Sequence, residues 1–398
     1  MSDGSDGTIG SRLVRLRGTH MTQIGLAAAA GVSVDLIHKL EQGVRHSVSI
    51  PSLQRLARAL DVEVSALLTD PPKRLESPSE HAGVIATRRV LTSVDDLFPS
   101  DVPETDVGVG EVQRAVTHAW GAYWAGRYQH LTKLLPQEIT RARSLVAHAP
   151  TDDRGVARHA AAQLLQLAAC TMTHCDHADA AHIAVRESMQ YALAGPDPLL
   201  PAALHTTMAW VLLNQGRYDE SRRVAMAAAS TIQPGGSSPL PQWTLYGSAL
   251  ITAATANARY GDRAEATSLL AEARVAATRT GARNDYEAAF GPDQVLMQTV
   301  DVDVVTEHYG AALTVARRMP RDTVLPVAAR ARHLSDIAVS QIRTDADDHA
   351  LATLLAMERL APDWMRFQAH PRQIVAELRE RSVAPELREL AERVGLTG

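Results

Sequence analysis

The densest set of side chains that could hold a metal is the run CTMTHCDH at residues 170–177. Cys170 and His174 stand one helical turn apart, and Cys175, His177 and His182 follow closely. Zinc takes thiolates and imidazoles of this kind. None of the recurring zinc spacings is met, so these side chains read as polar helix-end surface and no metal is expected. Catalytic chemistry leaves even less trace. The GVG at 108–110 lacks the rest of a dinucleotide fingerprint, and no nucleophile elbow, HExxH pair or paired carboxylate stands out. Neither an enzyme nor a cofactor is expected. The remaining candidate is RNDYEAAFGP, residues 283–292, where Tyr286 and Phe290 are four apart with Asn284 nearby. Such a face meets a ligand or fills a core, and burial preference favours the core.

Function must therefore come from surfaces that the secondary structure builds. Hydrophobic residues make up 45% of the chain and charged residues 21%, the balance of a globular protein. Aromatics are only 4% while alanine is abundant, which favours helices packed through small side chains. A length of 398 residues suggests two or three domains. Residues 8–60 hold seven Lys/Arg against Asp35 and Glu41 in a chain of net charge −5, so a cationic head sits on an anionic body. The N-terminus carries Asp3 and Asp6 rather than a basic segment, no apolar run suits a membrane helix, and only two cysteines occur. A cytoplasmic protein without a membrane partner is expected.

In the head, Ile9, Leu13 and Leu16 give a first apolar stripe. Thr22 caps a second helix facing inward through Leu26, Ala27 and Ala30, and Gly31 ends it in the left-handed conformation. Ser33 caps a third, with Leu36, Ile37 and Leu40 inside and Gly43 after it. A fourth runs from Pro51-Ser52 through Leu53, Leu56, Ala57 and Leu60. A fifth uses Val64, Leu67 and Leu68, before Pro71-Pro72. The second and third helices, joined by a tight glycine turn, make a helix-turn-helix unit. With TQIGLAAAAGVSVDLIHKLEQG at 22–43, residues 8–70 resemble the Cro/CI (xenobiotic-response-element) family of DNA-binding domains. That resemblance implies a third helix in the major groove, with Ser33, Val34, Asp35, His38 and Lys39 at the base edges. It implies phosphate contacts from Gln23 and, further on, from Gln42 and Arg45. Gly25 departs from the family, which commonly has glutamate there.

Residues 71–110, with Pro71, Pro72, Pro78, Pro99 and Pro103, read as a linker, interrupted by a short helix at RRVLTSVDDL, 88–97, that could meet a partner subunit. Beyond it no strand pattern appears. LNQGRYDESRRVAMAAA at 213–229 is echoed by NARYGDRAEATSLLAEA at 257–273, and looser echoes place small residues at Ala181, Ser221, Ala266, Ala312 and Ala350. Residues 111–398 thus resemble a tetratricopeptide-like α-solenoid, longer in period than the usual repeat. The fold class is all-α, a five-helix head followed by this solenoid. The whole is similar to actinobacterial regulators that join the two modules.

The solenoid resemblance implies a concave groove lined by the first helix of each pair. Its residues would be Gln163, Gln166, Cys170, Thr173 and His174, then Ala203, Thr206, Trp210, Leu213 and Asn214. Next would come Ser248, Ile251, Thr255, Ala258 and Arg259, and finally Gln294, Met297, Asp301, Val304 and Val305. Among these Gln166, His174, Thr206, Trp210, Asn214 and Arg259, with Asn284 and Tyr286, are the expected ligand contacts. The function implied is a homodimeric transcriptional regulator, binding a double-stranded DNA operator under control of a small-molecule or peptide effector. The alternative is a protein-interaction scaffold whose helix-turn-helix is an interaction module.

Overall fold

A computed structural model describes residues 8–18, 21–45, 48, 50–60, 62, 66–67, 78–94 and 107–396. Helix dominates, and among the described residues the one extended pairing is an isolated bridge between Arg283 and Phe290.

The head opens with α1 (Ile9–Arg17), whose first turn is closed by a capping box between Thr8 and Ser11. The helices α2 (Gln23–Ala30) and α3 (Val34–Glu41) are capped by Thr22 and Ser33, each accepting from a backbone N–H three residues on. Between them Gly31 stands at φ 61°, ψ 37°, the left-handed conformation that a side chain would disfavour. Leu13, Leu26, Ile37, Leu40 and Leu56 are fully buried in one small core, completed by α4 (Ile50–Ala59). Leu36 and Leu60 are only half-buried. Of the fifth helix, Leu67 is buried in this core, whereas Val64 and Leu68 lie outside the described residues. One feature escapes periodicity. A Cβ on Gly10 would stand 1.8 Å from the Leu40 carbonyl oxygen, so α1 and α3 cross backbone to backbone there.

The linker expectation needs correcting at its helix. That helix is α5 (Pro78–Leu91), longer and earlier than 88–97, and it packs on the body of its own chain. Val84 and Leu91 enter the body core, Thr87 donates to the Thr132 carbonyl, and Arg143 donates to the Val90 carbonyl. Periodicity from 88 missed it because HAGVIA, its first apolar turn, follows a proline-containing stretch and reads as loop.

The body is a run of antiparallel helix pairs: α6 (Val109–Trp124) with α7 (Tyr128–His148), α8 (Arg154–His174) with α9 (Ala178–Leu193), and α10 (Leu200–Asn214) with α11 (Tyr218–Thr231). The pairs continue with α12 (Leu240–Tyr260) and α13 (Arg263–Thr280), α14 (Pro292–Val305) and α15 (Tyr309–Ala316), and α16 (Val327–Arg343) and α17 (Asp347–Leu360). Three short helices end it: α18 (Pro362–Phe367), α19 (Ala369–Arg379) and α20 (Pro385–Arg393). Every hairpin turns through a residue with positive φ, namely Gly126, Asp176, Gly216, Gly261, Glu307 and Asp345. Five residues beyond the last five of these lie Ala181, Ser221, Ala266, Ala312 and Ala350, all with no exposed surface. The small side chain lets the second helix of each pair close against the first, so the spacing of these residues is the spacing of the hairpins.

The array also returns on itself. Trp364 and Met365 of α18 share one apolar core with Trp120, Tyr123 and Tyr128 of the first pair. Head and body meet where the Arg58 guanidinium lies 4.7 Å over the Tyr260 ring, which Arg222 also approaches at 5.0 Å. No helix among the described residues is long and apolar enough to cross a membrane.

Candidate functional site

Two surfaces qualify, one on each part of the chain. On α3 the inward turn of Ile37 and Leu40 leaves Ser33, Val34, Asp35, His38 and Lys39 exposed on the outer side, with Gln42 and Arg45 exposed just beyond. Lys39 forms an ion pair with Asp35 at 2.8 Å, one turn apart and open to solvent, a contact worth only a few tenths of a kcal/mol. Gln23 is less available than its position suggests. Its amide donates to Glu41 Oε2 at 2.7 Å, and the same carboxylate takes two bonds at 2.9 Å from Arg17. That network ties the ends of α1, α2 and α3 together.

The second surface is a cavity of about 400 Å³ inside the body. Its aromatic wall comes from α6, where Trp120, Tyr123 and Trp124 follow the i, i+3, i+4 spacing of one helix face. The two indoles stack with centroids 6.2 Å apart, and the Tyr123 ring stands edge-on to both. Trp210 of α10 and Trp364 of α18 complete the apolar lining. At the centre, His174 stacks on Tyr128 at 4.7 Å and lies 5.3 Å from Trp210. Burial drives its pKa down to about 4, so the imidazole is neutral. The Gln368 amide, 3.2 Å away, donates to Nδ1, and Nε2–H then donates to the Tyr123 hydroxyl at 3.1 Å. Cys170 also lines the cavity, its thiol pushed up to about 12 by burial. Among the described residues no three His, Cys, Asp or Glu side chains gather in a metal-binding group.

The polar end is ionic. Arg259 of α12 makes two bonds of 2.9 Å to Asp301, which also accepts from Arg332 at 3.1 Å and from Gln298 at 2.7 Å. Burial alone would raise the Asp301 carboxyl, but the adjacent guanidiniums of Arg259 and Arg332 hold it well below the usual range. Nearby Asp336 is pushed up by burial and by the Asp301 charge, which favours its protonated form. Asp301, expected in the groove, lies behind it as the buried anchor of these two arginines.

A loop closes the side between α13 and α14. Tyr286, Glu287 and Ala289 all stand at positive φ, strain that the surroundings hold in place. Arg283 and Phe290 exchange backbone bonds of 2.8 and 2.9 Å, and the Phe290 ring fills the space over Gly247, where a Cβ would come within 2.0 Å. The loop is tethered at three points: Tyr286 donates to Asp197, Thr244 to Asp285, and the Trp124 indole to Glu287 at 2.6 Å.

Gln166, His174, Thr206, Trp210, Asn214, Arg259 and Tyr286 all line this cavity. Asn284 does not. It is exposed on the loop, its amide donating to Glu287 and its oxygen accepting from the Ala289 N–H, so it shapes the loop from outside. Sequence reasoning missed the α6 face, Arg332, Glu287 and the C-terminal Trp364, Gln368 and His370. The spacing of Trp120, Tyr123 and Trp124 was signal enough for the first. Glu287 lies within RNDYEAAFGP beside Tyr286, whereas nothing local marks Arg332, Trp364, Gln368 or His370, and the last three reach the cavity only because the array returns on itself.

Comparison with known proteins bears on the head. Residues 15–67 match the helix-turn-helix family, a span that takes in α2, α3 and α4. No curated protein matches the chain. With the exposed outer side of α3 already described, this similarity supports a DNA-binding transcription regulator of the helix-turn-helix type.

Proposed function

We propose that the chain is a homodimeric regulator whose affinity for a DNA operator is set by a small molecule or peptide held in the body cavity, here read as the groove of a tetratricopeptide-like array. The head would place Ser33, Val34, Asp35, His38 and Lys39 in the major groove, with Gln42 and Arg45 on the backbone. Gln23 would join them once its bond to Glu41 is exchanged for a phosphate. The observation that carries the effector half is the cavity itself, a concave aromatic site with convergent polar groups drawn from both ends of the array. A route to the head supports it: Arg259 lines the cavity, and the next residue, Tyr260, meets Arg58 of α4. An occupant that favours one arrangement of α12 would bias how the head is held, provided it binds the two arrangements unequally.

The test begins with genome-wide immunoprecipitation to find enriched sites. Fluorescence anisotropy on one of them then measures affinity with and without whatever small molecule co-purifies with the folded chain, identified by mass spectrometry. A changed operator affinity is expected. Absence of enriched sites would favour a scaffold, and an occupied cavity with unchanged affinity would remove effector control.

A further inference from the structure

The cavity's charges are unevenly satisfied. Asp301 is saturated by four donors, two from Arg259 and one each from Arg332 and Gln298. One carboxylate thus serves two guanidiniums, and the neighbouring Asp336 adds little negative charge because burial and Asp301 favour its neutral form. Arg332 contributes only Nη2 to this network and keeps a third of its side chain open on the cavity wall. His174, on the wall, is held neutral chiefly by desolvation, with the field of Arg332 acting the same way against the opposing effect of the Gln368 bond. The one acidic residue among the described lining, Glu287, belongs to the loop rather than to this ionic cluster, its Oε2 accepting from the neutral donors Trp124 and Asn284. Facing this end is the indole wall of Trp120, Trp124 and Trp210.

We infer that the cavity takes an amphipathic organic anion, its acid group on Arg332 and its flat apolar body against the tryptophan wall. A guanidinium with unspent donors meets a carboxylate more strongly than a neutral amide, and the low-polarity surroundings enlarge that difference. Flat rings gain from offset stacking on indole beyond the area they bury. Gln166 adds a further preference. Its amide nitrogen donates to Thr207, whose hydroxyl is already given to the Ala203 carbonyl, so the Gln166 carbonyl oxygen is left in the wall without a donor. An N–H or O–H on the ring system would supply one.

This rests on the effector reading above, and its test needs no DNA. Isothermal titration of the full chain at neutral pH compares indole-3-acetate with its neutral isostere indole-3-acetamide. The acid is expected to bind at least about tenfold tighter, the difference between a charged and a neutral hydrogen bond. Arg332→Gln should abolish the preference, Arg332→Lys should keep part of it, and Trp210→Ala should weaken both compounds alike. Equal or tighter binding of the amide, a preference unchanged in Arg332→Gln, or no binding of either compound at millimolar concentration would overturn the assignment. The wild-type ratio decides alone if Arg332→Gln does not fold. Equal binding of acid and amide would leave the cavity a ligand site, whereas acid binding that leaves operator affinity unmoved would sustain this inference and sink effector control instead.

Discussion

The head turns its candidate functional residues outward, and the body turns its own inward. On α3 every such residue lies within one short helix and its flanks, and burial of Ile37 and Leu40 is all that is needed to present them. In the body, Trp124 meets Glu287 and His174 meets Gln368 across most of the array, so the site exists only when the array is complete. A surface site of the first kind tolerates weak local contacts, while an enclosed site of the second kind concentrates charge and strain. Variants should therefore separate the two regions sharply.

The largest effect is expected at Asp301. Asp301→Asn leaves Arg259 and Arg332 without their shared carboxylate inside the protein, a loss of about 3–5 kcal/mol for a broken buried pair. Calorimetry should show the body melting earlier while the helix-turn-helix core keeps its own hydrogen-exchange protection. A uniform loss of protection in head and body would mean that the two are not independent.

Two glycines sharpen the same contrast at about 3 kcal/mol each, the upper range for overpacking. Gly10→Ala drives a methyl into the Leu40 carbonyl and should remove operator binding with the cavity intact. Gly247→Ala displaces Phe290 and should loosen the loop that carries Tyr286 and Glu287, with the head intact. Hydrogen exchange resolved by segment reads both. Matching exchange profiles for the two variants would erase the distinction.

Acid should act on the body through its buried histidines. His174 and His333 are held at about 4 when folded, against 6.5 for a free imidazole, mainly by burial. The unfolded chain then binds more protons below 6.5, so stability is present above that pH and is lost as pH falls toward 4. The expected slope is about 1.4 kcal/mol per pH unit for each ring. Replacing His174 by Gln should flatten the thermal midpoint between pH 6.5 and 4, and an unchanged slope would show that this ring does not drive it.

What the sequence made legible follows the same division. Caps at Thr22 and Ser33 and the turn at Gly31 are local chemistry, and the head follows from them. The hairpin register was legible too, because Ala181, Ser221, Ala266, Ala312 and Ala350 must be small for the pairs to close. That register put Gln166, His174, Trp210, Asn214 and Arg259 on the inner wall. It failed at Asp301, which is buried behind the wall, and at Gln163, Thr173, Ala258, Val304 and Val305, none of which lines the cavity, and it had no means of finding Gln368 or Arg332. Those positions depend on how far the array curves, which no periodicity encodes.

The smallest stability effect, and the most telling for the head, belongs to Lys39. Its exposed pair with Asp35 contributes about 0.3–0.5 kcal/mol, so Lys39→Ala should barely move the melting curve. Operator binding should nevertheless weaken, and the slope of log affinity against log salt should fall by about 1, the loss of one phosphate contact. Asp35→Asn supplies the opposite arm. It releases Lys39 from its only ion-pair partner among the described residues and should strengthen binding to any duplex while blunting discrimination between sites. Anisotropy titrations over a range of salt distinguish these outcomes. If Lys39→Ala leaves both affinity and slope where they were, the outer side of α3 is not what meets DNA, and the head's resemblance extends to its fold but not to its use.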